Sequence, residues 1–177
     1  MAESDLKARS WRAVSADTPL VRTVSPAAPR MPGSAAYQPV QGAKGGVLVA
    51  MSVTSHHDVA VVRHRLQQVL HRSDRDVVQD VEMVATELLA NALEHALAPC
   101  GVTVTGYPAP DSTGRSGLGE VVIEVLDGSC ELLPVLDRSS TASHRGRGMR
   151  LVRALSHSWG ILQSGRTKTV WASMRLV

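Results

Sequence analysis

One long amphipathic segment, residues 73–98, restricts the fold most. Its apolar side chains recur at helical spacing along a single stripe made of Val77, Val81, Val84, Ala85, Leu88 and Ala92. Ser73 or Asp74 can start this helix, and Pro99 stops it. A helix with one apolar stripe has to bury that stripe against another layer, so the rest of the chain must supply that layer.

Short apolar runs rich in β-branched residues predict strands for the second layer. They lie at residues 47–53, 102–106, 120–126, 161–163 and 169–176. Thr54 or Ser55 can cap another helix, whose apolar positions are Val59, Val62, Leu66, Val69 and Leu70, and a further helix is predicted over 148–158. Residues 107–119 are predicted as a hairpin-like loop and 129–145 as a long loop. This order predicts an α+β sandwich with the helices on one face of a sheet.

The first 45 residues differ from the rest of the chain. They contain five of the nine prolines and six basic against three acidic side chains, which leaves thirteen of each sign in residues 46–177. We therefore expect residues 1–45 to be a disordered or loosely attached extension and 46–177 to be one folded domain. The extension has no dense Lys/Arg run and no interleaved aromatic residues, which disfavours nucleic-acid binding.

Compartment and redox state follow from what the sequence lacks. No apolar run approaches ~20 residues, which argues against a membrane span. Charged residues interrupt the N-terminal region where a signal peptide would need an apolar stretch. Cys100 and Cys130 are too few and too far apart for a disulfide framework or a zinc site. We expect a cytoplasmic protein with reduced thiols.

The predicted long helix carries a polar pair, Glu87 and Asn91, at i and i+4 on one face beside the apolar stripe. An Asn oxygen can bind Mg²⁺, and a Glu carboxylate can orient or deprotonate an attacking hydroxyl or water in phosphoryl transfer. In isolation such a pair is more often a surface Glu with a solvent-facing Asn. Asn has a poor helix propensity, however, so its place inside a helix invites a functional explanation.

Two further motifs are weak when each is taken alone. Gly146 and Gly148 lie in a Gly-x-Gly turn that leads into a helix, where backbone N–H groups and the helix dipole favour a phosphate. The bland alternative is a flexible loop before a helix. Asp127 ends a strongly apolar strand and can accept a hydrogen bond from an adenine amino group. Its alternative role is to start an Asp-Gly turn.

Four segments in order resemble the histidine-kinase-like ATPase superfamily, and most closely its anti-sigma regulatory factor serine kinases in their short actinobacterial form. The segments are VATELLANALEHA (84–96), VIEVLDGS (122–129), RGRGMRLVRALSHSWG (145–160) and KTVWASMRL (168–176). The resemblance covers roughly residues 46–177 and implies a Bergerat-type two-layer α/β sandwich with a mostly antiparallel sheet. It also implies ATP and Mg²⁺ as cofactors.

The resemblance implies a role for each matching position. Glu87 would be the catalytic base, Asn91 the Mg²⁺ ligand and Asp127 the acceptor for the adenine amino group. Gly146 and Gly148, with Arg145, would hold the phosphates under a lid formed by residues 129–145, and Thr169 would lie near adenine. The family's fuller adenine motif reads Asp-x-Gly-x-Gly, whereas neither of those glycines follows Asp127 at the matching positions here.

The expected function is an ATP-dependent serine/threonine kinase that phosphorylates an anti-anti-sigma (STAS-type) partner and holds a sigma factor. Homodimerisation is an expectation from the family alone. A second interpretation is a catalytically weak ATP-binding module that acts by protein sequestration. A third, ranked last, is a regulator that contacts DNA through its basic extension.

Overall fold

The chain folds into a five-stranded sheet covered by helices, as a computed structural model shows for residues 44–95, 100–110, 116–129 and 147–176. Within these ranges the elements follow one another as β1 Gly46–Ser52, α1 His56–Val69, α2 Arg75–His95, β2 Gly101–Pro110, β3 Ser116–Asp127, α3 Arg147–Leu155, β4 Ser158–Ser164 and β5 Thr167–Arg175. The strand order is β1-β2-β3-β5-β4, and every neighbouring pair is antiparallel. The predicted α+β sandwich is confirmed.

The helices pack on one face of the sheet, with α2 at the centre of that layer. Helix α2 contacts α1, α3, β3 and β5, while α1 contacts β1 and α3 contacts β4. The apolar stripe predicted for α2 is buried in the core, where Val81, Val84 and Ala85 have no exposed surface. They pack with alternate residues of the strands, such as Ile123 and Val125 of β3.

Local hydrogen bonds explain where the first two helices begin. Ser55 is the N-cap residue of α1, and the carboxylate of Asp58 accepts the backbone N–H groups of Thr54 (2.8 Å) and Ser55 (3.0 Å). These bonds, the one from the Thr54 backbone foremost, lower the pKa of Asp58. Asp74 accepts the N–H of Asp76 at 2.8 Å, next to the start of α2. Both helices therefore start where the sequence predicts.

The loop expected at residues 107–119 is shorter than predicted. Strands β2 and β3 continue to pair through Tyr107↔Glu120, Pro108↔Leu118 and Ala109↔Gly117, with a register shift between Tyr107 and Pro108. Gly, Pro and Ser in this stretch indicated a loop, but cross-strand pairing overrides that local preference. The register shift accommodates Pro108, which has no N–H to donate to the sheet.

Strand β1 begins at Gly46, where the sequence placed the start of the folded domain. The proposed extension and the long loop at 129–145 lie almost entirely outside the described residues, so both stay predictions. Among the described helices, none combines the length and the apolar character needed to cross a membrane.

Glu124 gives a test of the fold. Its neighbours Ile123 and Val125 lie in the core under the helices, so Glu124 points to the opposite face of the sheet. Partial burial raises the pKa of the Glu124 carboxyl. Folding therefore favours the protonated form, and this contribution to stability is present at low pH and is lost as the pH rises through the folded-state pKa.

We expect Glu124→Gln to raise the melting temperature at neutral pH, with a gain that disappears as the pH falls below the ordinary Glu pKa of about 4.5. Circular dichroism melts across this pH range measure it. Glu120→Gln, on the same strand and the same face, is the matched control. A gain at Glu124 that is independent of pH would contradict the burial argument.

Candidate functional site

The polar pair of α2 lies at the edge of its buried stripe. Glu87 and Asn91 are partly buried one turn apart, and Leu88 and Ala92, their neighbours in the chain, are core residues. The side-chain amide nitrogen of Asn91 is buried and has no hydrogen-bond partner among the described residues. A buried amide without a partner is costly, so this position favours a ligand that supplies one.

The start of α3 lies directly against Glu87. A methyl group built on Gly148 would overlap Oε2 of Glu87 and would lie 3.3 Å from its Cδ. Only a residue without a side chain lets the backbone of α3 come this close to the carboxylate. Met149, which follows, is 2% exposed and anchors this end of α3 in the core.

This contact places a helix N-terminus beside the polar pair. Helix α3 begins at Arg147, so Gly148 belongs to its first turn, where backbone N–H groups have no partner within the helix. Such groups, together with the positive end of the helix dipole, favour an anionic ligand. Arg145 and Gly146, predicted to contribute here, lie outside the described residues.

Asp127, the residue predicted to bind adenine, lies at the end of β3 and is 2% exposed. Its Oδ1 accepts the backbone N–H of Ser129 at 2.9 Å and forms an ion pair with Nζ of Lys168 at 3.1 Å. Lys168 is itself buried, and its Nζ also donates to the carbonyl oxygen of Ser129 at 3.0 Å. Asp127 and Lys168 are direct cross-strand partners of β3 and β5.

The structure does not bring Thr169 into this group. Thr169 pairs with Leu126, and side chains alternate along a strand, so it lies on the face of the sheet away from the helices. Val170, Ala172 and Met174 are in the helix-covered core, which fixes that alternation. The residue of this strand that meets Asp127 is Lys168.

Sequence reasoning did not single out Lys168 as a site residue. The available signal was the alternation itself, because the apolar residues at 170, 172 and 174 predict that position 168 faces the helix layer. That pattern does not identify the partner across the sheet, however, since the register of β3 with β5 is a long-range property.

Cys100 completes the surroundings of Asp127 from the side of β2. It precedes Gly101, which pairs with Leu126, so Cys100 lies next to Asp127 across the sheet. Burial, and secondarily the charge of Asp127, raises the pKa of the Cys100 thiol to about 11. The thiol therefore stays protonated at neutral pH and is a poor nucleophile.

The described residues contain no group of three or more His, Cys, Asp or Glu side chains arranged to hold a metal ion. A Mg²⁺ bound to a nucleotide does not require such a group, because phosphates and water fill most of its coordination sphere. One protein oxygen, such as that of the Asn91 amide, is compatible with that type of site.

One comparison with known proteins identifies a family for this chain. A family model for the histidine kinase-like ATPase domain matches residues 53–174, which is more than half of the chain. The chain belongs to this family. A comparison with curated proteins gave no match. The matched region contains both the α2 pair with Gly148 and the Asp127–Lys168 pair.

Members of this family bind ATP, usually with Mg²⁺. The residues present fit these groups on three points. The buried amide nitrogen of Asn91 needs an acceptor, which a phosphate oxygen would supply and which leaves the amide oxygen for the metal, Gly148 leaves room where a side chain would overlap Glu87, and the first turn of α3 offers N–H donors. Asn91 would hold the metal and α3 the phosphates.

The glycine contact leads to a prediction. In Gly148→Ala the new methyl group displaces the flexible end of Glu87, whereas alanine itself favours a helix. We expect the melting temperature to change by only a few degrees. ATP turnover should fall by roughly 100-fold, because Glu87 is the predicted catalytic base and a small displacement of such a group has a large effect on rate.

Gly117→Ala is the matched control, since nothing lies within 4 Å of the methyl group it adds. Thermal melts and ATP turnover are measured for both variants. Full turnover in Gly148→Ala would show that the close approach of α3 to Glu87 is not needed for activity.

Proposed function

We propose that this protein is an ATP-dependent serine/threonine kinase of the anti-sigma type. Its substrate is a serine on a small anti-anti-sigma partner of the STAS type, and its regulatory target is a sigma factor. Such a regulator would act in the cytoplasm, as a monomer or a homodimer. The family match supports the ATP-binding part of this proposal, and the resemblance of residues 84–96 and 145–160 to anti-sigma kinases supports its narrower part.

One observation carries the proposal, namely the contact between the first turn of α3 and the Glu87 carboxylate beside Asn91. The N-terminus of α3 provides donors for an anion, and Glu87 provides a carboxylate next to it. A hydroxyl that approaches the end of a phosphate chain bound there would lie within reach of that carboxylate. This is the arrangement that phosphoryl transfer to an alcohol needs.

The chemistry assigns a separate task to each residue. Bound ATP supplies the γ-phosphoryl group, with Mg²⁺ as a counter-charge. Glu87 accepts the proton of the serine hydroxyl as its oxygen bonds to phosphorus, while the bond to the bridging oxygen of ADP breaks. Asn91 would hold the metal, and the amides of α3 would stabilise the charge on the phosphate oxygens.

The base end of the site favours a second candidate function. Asp127 is engaged by Lys168 and Ser129, and the glycines of the fuller adenine motif are missing. A base site that lacks those glycines would bind ATP weakly. The protein would then act by sequestering a partner rather than by phosphorylating it.

Glu87→Gln separates the two functions. We expect it to lower phosphoryl transfer by about 100-fold or more, because a general base contributes on that scale. ATP binding should stay within a few-fold of wild type, because Gln keeps the size of the side chain. The measurement is incorporation of label from γ-labelled ATP into a purified anti-anti-sigma domain, together with a nucleotide titration.

The matched control is Asp76→Asn, which removes the same charge from an exposed position in the first turn of α2, about 16 Å along the helix from Glu87. Normal transfer by Glu87→Gln would refute the catalytic assignment. If the wild-type protein binds the partner without ever phosphorylating it, the sequestration function is the correct one.

Asn91→Ala tests the metal assignment. We expect it to abolish most of the gain in ATP affinity that Mg²⁺ produces in the wild-type protein, because the substitution removes the protein's own oxygen ligand. Titration of ATP with Mg²⁺ and with EDTA, on both proteins, measures that gain. An equal gain in the two proteins would show that Asn91 does not bind the metal.

A further inference from the structure

The Asp127–Lys168 pair is unusual because both charges are buried. Their side chains are 2% and 5% exposed, and Nζ lies 3.1 Å from Oδ1. Removing two charges from water costs about as much as their attraction returns, so a buried ion pair is weak evidence for a role in stability. A pair of apolar residues would fill the same space at least as well. The chain has a charged donor and a charged acceptor at this point instead.

Among the described residues, the contacts of Lys168 account for two of its three N–H donors. An ammonium group carries three N–H bonds. The described contacts of Nζ are with Oδ1 of Asp127 and with the carbonyl oxygen of Ser129 at 3.0 Å, which account for two of them. The contacts of the described residues do not use the third, so it is the donor that a ligand beside Asp127 would use.

Both side chains point to the face of the sheet that carries the proposed nucleotide site. Ile123, Val125 and Val170 are core residues under the helices. Side chains two positions apart in a strand share a face, so Asp127 lies on the same face as Ile123 and Val125, and Lys168 on the same face as Val170. Gln163 and Cys100 lie beside them on the flanking strands, and neither is a charged group. In this row of four neighbouring side chains, Lys168 is therefore the charged donor and Asp127 the charged acceptor.

We propose that Lys168 is a specificity-determining residue that donates a hydrogen bond to N1 of adenine, next to the amino group that Asp127 accepts. This inference rests on the proposed ATP site. The Watson–Crick edge of adenine presents a donor, the 6-amino group, beside an acceptor, N1. A carboxylate and an ammonium held 3.1 Å apart are the complementary acceptor and donor.

The same pair discriminates against guanine in this orientation. Guanine has a carbonyl oxygen at position 6, which would face the carboxylate of Asp127, and a protonated N1, which would face the ammonium of Lys168. Like polar groups would then oppose each other in a buried site, where unpaired polar groups are costly. Lys168 thus takes the place near adenine that the resemblance assigned to Thr169.

The test is the ratio of affinities for ATP and 1-deaza-ATP, in which a C–H group replaces N1. We expect the wild-type full-length protein to bind ATP about tenfold more tightly than 1-deaza-ATP, the effect of one hydrogen bond to a charged group. Lys168→Met should bind the two nucleotides equally, because the donor is gone. Isothermal titration calorimetry measures all four affinities.

Two variants complete the design. Arg166→Met removes a positive charge from an exposed position in the β4–β5 turn, and the wild-type ratio should persist in it. Lys168→Arg retains a charged donor and should retain a preference for ATP over 1-deaza-ATP. If Lys168→Met does not fold, the ratios of ATP affinity to 1-deaza-ATP affinity of the wild-type protein and of Lys168→Arg still test the inference.

The outcomes distinguish this inference from the function on which it rests. If Lys168→Met weakens the binding of ATP and of 1-deaza-ATP by the same factor, Lys168 only connects the turn after β3 to β5, and the inference is overturned. Equal affinity of the wild-type protein for ATP and 1-deaza-ATP, or for ATP and GTP, also overturns it. A wild-type protein that binds no ATP at all refutes the proposed function itself.

Discussion

The burial of the apolar stripe of α2 is the contact on which the site depends. Because Val84 and Leu88 are fixed against the sheet, the row formed by Glu87 and Asn91 has to lie at the rim of the core. The same helix contacts α3, whose Gly148 touches that row. One hydrophobic interaction thus determines both the orientation of the carboxylate and its distance from a helix N-terminus, although neither polar residue contributes to the core.

The two ends of the candidate site, for which we propose the phosphates and the adenine base of ATP as ligands, are built by different physical means. At the phosphate end, the backbone of α3 provides the donors, and a missing side chain provides the space. At the base end, side chains of two neighbouring strands provide a charged acceptor and a charged donor, and the register of β3 with β5 sets their separation. The phosphate end therefore depends on how helices pack, whereas the base end depends on strand pairing. A substitution in one end need not disturb the other.

This difference explains how much could be predicted from the sequence. Helical periodicity is local, so spacing alone located the stripe of α2 and the positions of Glu87 and Asn91 beside it, whereas the roles predicted for that pair came from the resemblance. Strand pairing is long-range, so the cross-strand contact of Asp127 with Lys168 could not be. Thr169 illustrates the consequence, because an offset of one residue in a strand moves a side chain to the opposite face of the sheet. Strands β2 and β3 were predicted too short for the same reason, since their pairing overrides a loop-like composition.

The absence of a glycine at position 129 of the adenine motif can be understood through the same ion pair. A glycine allows the chain to turn sharply after a strand, but the turn still has to be held in place. Here the N–H of Ser129 is bound by the carboxylate of Asp127, and its carbonyl oxygen is bound by Nζ of Lys168. Both backbone groups of the residue after Gly128 are thus fixed by charged side chains, each of which also faces the proposed base site. Lys168 would then serve two purposes, since it holds the turn in place and supplies the donor that reads the base.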